Sequence, residues 1–257
     1  MALIAGFGLT LFGAVIIAVV GAAFFGAKIS EGDTPPGVNI AATFFQDGAL
    51  VVAALIFARL TAVPRPWHFG LRPTPFWRAV GWLALVWFGF LLFSGIYSAV
   101  LGGFGIKPSP EDLPKELGVD ESTAALIAVT ILVCVVAPIA EEFFFRGYFF
   151  GALRNWRGVW PAAIITGLVF GAIHIGSSDI AFTVPLAFFG FVLCLLYDRT
   201  GSLYPCIALH ALNNSIALGV TQDWDWQIAV VVVGSLASIA AILAPIGRRG
   251  PRTLPAS

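Results

Sequence analysis

Apolar runs of membrane length follow one another along this chain, and they leave it few choices of fold. A helix needs roughly 20 mostly apolar residues to cross a bilayer. Such runs fall near residues 3–25, 38–58, 76–101, 122–150, 159–175, 180–197, 202–220 and 226–246. Prolines 35 and 36, the stretch from Pro64 to Pro75, that from Pro108 to Pro114, and Asp223 to Asp225 punctuate them. Hydrophobic residues make up 59% of the chain and charged ones 11%, against roughly 45–50% and 25% in a soluble domain. The expectation is all-α: one polytopic membrane domain over residues 1–257, with about eight transmembrane helices. No fixed-period repeat or soluble appendage is visible.

The segment Met1 to Ala27 carries no charge. A signal peptide has a basic start and an apolar run of about 7–15 residues, so this segment reads as a first membrane helix that is retained. The net charge of zero gives no case for nucleic acid. Cys134, Cys194 and Cys206 each stand alone in apolar runs, which predicts buried, inert thiols.

With eight spans, the termini and every second connection share one side. Arg59, Arg65, Arg72, Arg78, Arg146, Arg154, Arg157, Arg199, Arg248, Arg249 and Arg252 fall there, against Lys28, Lys107 and Lys115 on the other. Basic residues stay cytoplasmic. Both termini are therefore expected in the cytoplasm of an integral protein of the plasma membrane or an endomembrane.

Charges inside apolar helices are costly and usually functional. The fourth span contains Glu141-Glu142-Phe-Phe-Phe-Arg146. At about 100° per residue, Glu142 and Arg146 share a face and suit a structural ion pair. Glu141 points about 100° away and has no such local partner, which makes it the candidate working carboxylate. His174 ends a Phe170-x-x-x-His174 pattern on the fifth span, seventeen residues after Arg157 where Glu141 lies sixteen before. Antiparallel helices would bring the two to similar depth. His210 and Asn214 lie one turn apart on the seventh span, with Asn213 a competitor for the same role. Interhelical hydrogen bonding is the plainer alternative for these amides and imidazoles.

Together, Glu141-Glu142-x-x-x-Arg146, Phe170-x-x-x-His174 and His210-x-x-x-Asn214 resemble the CAAX protease and bacteriocin-processing family. The resemblance covers residues 122–218, a motif-bearing core within the membrane domain. It implies an eight-helix intramembrane endopeptidase with a cavity open to the cytosol. The family's catalytic Glu falls on Glu141, its partner His on His174, and its oxyanion-binding pair on His210 and Asn214.

Hydrolysis needs an activated water, a place for the oxyanion and a proton for the leaving amine. Glu141, desolvated among apolar residues, suits general base chemistry. A neutral His174 accepts a hydrogen bond from the same water. His210 and Asn214 are donors for developing negative charge. A metal alternative uses His174, His210 and Glu141 as zinc ligands. The H-E-x-x-H helix is absent and no second base is evident, so no cofactor is favoured and one divalent metal, zinc first, is the alternative. Asp47 reads as a buried carboxylate bonded to a neighbour, with a cavity-lining role second. His68 lies in a Trp- and Arg-rich loop and reads as interfacial.

The expected partners are the lipid bilayer and a membrane-anchored peptide or lipidated protein; a prenylated CAAX tail and a bacteriocin leader are both open. An idle scaffold or immunity protein and a small-solute transporter are the rival readings.

Overall fold

The computed structural model describes residues 36–106, 113–175 and 180–247. Every element among them is helical. We number the long ones α1 (Pro36–Arg59), α2 (Phe76–Gly103), α3 (Thr123–Arg157), α4 (Val159–Ala172), α5 (Ile180–Thr200), α6 (Leu203–Thr221) and α7 (Gln227–Gly247). Six of these are long and apolar enough to cross a membrane, and α4 is a shorter apolar helix. The protein is an all-α polytopic membrane protein. Seven of the eight expected spans each fall on one of these helices; the first, 3–25, lies outside the described residues, as do both termini.

The described chain forms two compact units, each assembled from separated segments. The first holds residues 36–64, 113–144 and 211–238. Its core gathers Leu117, Val119, Val129, Leu132, Cys134 and Leu218. The connection before α3 folds onto this unit: Asn39 Nδ2 donates to Glu116 O at 3.0 Å, and Gln222 Nε2 to Asp120 Oδ1 at 3.0 Å. Ser122 then caps α3 by accepting from the amide of Ala125 at 3.1 Å, which satisfies one of the four amides a helix start leaves unpaired.

The second unit holds residues 65–106, 145–175, 180–210 and 239–247. Its closest helix pair is α4 against α5. A Cβ added at Gly167 would lie 2.6 Å from Ala187 O, one at Gly171 2.7 Å from Thr183 O, and one at Gly190 2.8 Å from Phe170 Cβ. Small residues let membrane helices approach to this range, where close packing rather than hydrophobicity holds them together. On the other flank of α5, Phe93 stacks on Phe188 at 4.0 Å and Phe90 meets Phe189 at 4.8 Å.

One 3₁₀ turn, Pro66–Phe69, ends at Gly70 with φ +82°. The residues after it are tied to the α5–α6 turn. Arg72 Nε donates to Gly201 O at 2.6 Å, Ser202 Oγ to Arg72 O at 2.7 Å, and the amide of Leu203 to Gly70 O at 2.8 Å. His68 is exposed in that turn, edge-on to Trp67 at 5.7 Å, in keeping with an interfacial position. All three cysteines are buried and none is in a disulfide.

Candidate active site

The acidic pair stands on an interrupted stretch of α3. Leu132–Val136 is π-helical, Ala137–Glu142 is α-helical, and Phe143–Phe150 is π-helical again. Pro138 accounts for the first interruption. Proline has no N–H and clashes with the preceding turn of a helix. The amide of Ala137 reaches back five residues to Leu132 O, and Pro138 has no amide to offer Val133. The Val133 carbonyl is thus left without a helical donor, which inside a membrane costs several kcal/mol by the usual estimate. Asn214 supplies the missing donor: its Nδ2 lies 3.0 Å from Val133 O. Asn214 thereby fastens α6 to α3. The side chain of Asn213, one position earlier, makes no hydrogen bond among the described residues.

Glu141 is half-buried and Glu142 fully buried. The sequence-based angles assumed a regular α-helix, and the π-helical run begins at Phe143. The step from Glu142 to Arg146 is therefore not four regular α-helical steps. Asp47, on α1, is 2% exposed and lies within electrostatic reach of Glu141. Its Oδ2 has no hydrogen-bond partner among the described residues. The acid that bears on Asp47 is thus a second carboxylate, Glu141. Its place in the sequence carried no sign of this, because α1 and α3 are far apart along the chain.

In the second unit the organising side chain is Phe170. The amide of His174 turns to Gly171 O at 3.1 Å, and the imidazole Nδ1 takes the Phe170 carbonyl at 2.8 Å. Because a carbonyl only accepts, Nδ1 carries the proton, and in the neutral ring Nε2 is the acceptor nitrogen. The four-residue spacing of Phe170-x-x-x-His174 thus has a local cause: α4 ends at Ala172, three residues short of the expected boundary, and the histidine satisfies a terminal carbonyl.

Both histidines flank the Phe170 ring. His174 lies 5.0 Å from it centroid to centroid, and His210 5.8 Å in edge-on geometry. His210 is 4% exposed and also packs edge-on to Phe189 at 5.7 Å. Arg146, fully buried, sits 4.6 Å over the same Phe170 ring and donates from Nη2 to Gly190 O at 3.1 Å. Its guanidinium therefore braces α3 against α5 within this unit.

Asp47, Glu141, Glu142, Asn213 and Asn214 thus belong to the first unit, and Arg146, His174 and His210 to the second. Among the described residues no three His, Cys, Asp or Glu side chains are gathered to hold a metal ion.

The three polar motifs stand on α3, just past the end of α4, and on α6, and comparisons with known proteins bear on the same stretch of chain. Residues 123–216 match the Rce1-like family, described as type II CAAX prenyl endopeptidase Rce1-like. That segment contains every motif residue from Glu141 to Asn214, and the resemblance drawn from them points to the same family. The chain is 28% identical over 142 residues to YdiL of Bacillus subtilis (strain 168), named as a candidate membrane peptidase. That similarity takes in 53% of this chain and 56% of YdiL, so the chain spans little more than half of that relative. An uncharacterized 24.3 kDa protein of Escherichia coli is 26% identical over 182 residues, 68% of this chain and 79% of its own length. No solved structure matches the chain.

Proposed function

We propose that this protein is an intramembrane endopeptidase that hydrolyses a peptide bond of a membrane-anchored substrate, a prenylated CAAX-type protein being one candidate. The Rce1-like match over the segment that holds Glu141, His174, His210 and Asn214 carries this reading. Glu141 takes a proton from water, and the hydroxide attacks the scissile carbonyl carbon. His174 orients that water through Nε2, a role the Nδ1 bond to Phe170 supports. His210 and one N–H of the Asn214 amide meet the oxyanion; the other N–H of that amide is occupied by Val133 O. Collapse of the tetrahedral intermediate returns the proton from Glu141 to the leaving amine. Glu142 and Arg146 form a supporting ion pair. The chemistry needs no metal, and both termini face the cytoplasm.

The test compares membrane-anchored peptides in cells expressing wild-type protein or Glu141→Gln, followed by cleavage of the altered peptide with purified protein. Cleavage by wild type alone, with both proteins inserted and folded, is expected. Full activity in Glu141→Gln would sink the assignment, and an unchanged peptide profile would favour an idle scaffold or a transporter. Retention of activity after prolonged chelation is expected for metal-free chemistry; one zinc per chain, with activity lost on chelation and restored by zinc, would overturn it.

A further inference from the structure

One end of the second unit gathers nearly all of that unit's positive charge. Arg72 and Ser202 tie the segment before α2 to the α5–α6 turn, as described above, and Thr74 Oγ1 adds a bond to Thr200 O at 3.2 Å. Arg154 Nη1 pairs with Asp198 Oδ1 at 3.1 Å and joins the end of α3 to the end of α5. These contacts bring Arg65, Arg72, Arg78, Arg154, Arg157 and Arg199 to one end, where Asp198 is the single carboxylate. Apart from the buried Arg146, the rest of this unit has no Lys or Arg among the described residues.

Two of the six are used internally, Arg72 on Gly201 and Arg154 on Asp198. The other four, Arg65, Arg78, Arg157 and Arg199, are exposed and make no ion pair among the described residues. Three of them lie over indole rings instead: Arg157 at 3.8 Å from the Trp156 centroid, Arg65 at 5.1 Å from Trp67, and Arg199 at 5.2 Å from Trp82. Trp77, Trp156 and Trp160 are 80%, 68% and 60% exposed at this same end. Indoles settle at the headgroup level of a bilayer. A guanidinium held over an indole keeps its N–H edge available, and that planar edge matches phosphate oxygens in pairs.

We propose that this arginine–tryptophan end is a binding surface for anionic phospholipid headgroups. The partner is a lipid phosphate at the membrane surface: the indoles take the boundary between headgroup and acyl chain, and the four uncompensated guanidiniums take the phosphates. Charge complementarity selects anionic over zwitterionic lipid. The surface is independent of the proposed peptidase chemistry and stands or falls without it.

Tryptophan fluorescence reads this binding directly, because five of the eight tryptophans (67, 77, 82, 156 and 160) lie at this end. Purified protein in neutral detergent micelles is titrated with acyl-brominated phosphatidylglycerol or with acyl-brominated phosphatidylcholine. Half-quenching is expected at an about fivefold or greater lower fraction of phosphatidylglycerol, the factor that roughly 1 kcal/mol per arginine–lipid contact implies. The two curves should converge in Arg65→Gln/Arg78→Gln/Arg157→Gln/Arg199→Gln, and in wild type at about 0.5 M salt. Should the fourfold variant lose its helical circular dichroism, Arg157→Gln/Arg199→Gln and the salt series decide. Equal quenching by both lipids in wild type, or a preference that survives substitution and salt, overturns the proposal.

Discussion

His174 donates from Nδ1 to the carbonyl of Phe170, one turn behind it, while its ring rests against the Phe170 ring. One residue thus fixes both the tautomer and the tilt of the imidazole, the first through its backbone and the second through its side chain. The same ring carries His210 on its edge and Arg146 over its face.

Removing that ring should disturb three side chains together. Phe170→Ala is expected to cost about 3–5 kcal/mol of stability, as a buried aromatic truncation does, and to abolish cleavage. Both variants keep the backbone carbonyl, but Phe170→Leu also keeps most of the side-chain volume, so its loss of stability should be well below that of Phe170→Ala. Thermal unfolding of the two variants decides; equal melting points for Phe170→Ala and wild type would contradict the central place given to this ring.

The two neighbouring asparagines should separate cleanly. Asn214→Ala leaves the Val133 carbonyl unsatisfied, at a cost of about 1–3 kcal/mol, and turnover should fall by roughly 100- to 1,000-fold. Asn213→Ala should do neither. Unfolding and cleavage measured on both variants check this, and a larger effect at Asn213 would transfer the oxyanion role to it.

Asp47 makes an unusual forecast, because replacing it should help the fold. Asp47→Asn replaces a buried acid beside Glu141 with a neutral amide, at a position whose Oδ2 has no hydrogen-bond partner among the described residues. A higher melting temperature is expected, by about 2–4 °C for each kcal/mol recovered. A clear drop would mean that the carboxylate has an attractive partner after all.

The α4–α5 contact should be intolerant of a single methyl. Gly167→Ala places Cβ 2.6 Å from the Ala187 carbonyl oxygen, which backbone cannot yield without separating the helices. We expect a loss of about 1–3 kcal/mol, typical of overpacking. Gly95→Ala on α2, where nothing lies within 4 Å of the added atom, is the matched control and should be near neutral.

Much of the fold was legible in the sequence because apolar length is a local property. Seven of the expected spans lie on helices for that reason. The polar motifs were legible for a similar reason, since a Glu or His among Phe and Ala residues stands out wherever it falls. What pattern alone did not show were relations that depend on distant partners. The disturbance at Pro138 in α3 was not read from the sequence, and its outcome rests on Asn214, 81 residues away. Asp47 looked like a carboxylate seeking a donor, and only packing shows that it faces another acid. The end of α4 at Ala172 was hidden as well, because the apolar pattern runs on through Ile175 while the backbone turns to let His174 fold back.

The π-helical stretches on either side of Ala137–Glu142 bear on how the chain tolerates change in length. A π turn closes its hydrogen bond over one residue more than an α turn. Each stretch is therefore a place where one residue can be gained or lost without rotating the helix faces beyond it. Relatives that lack Pro138, or the bulky run after Glu142, should accommodate a one-residue gap beside the acidic pair. Superposing such chains by unbroken residue count would put Arg146 and everything after it one step out of phase.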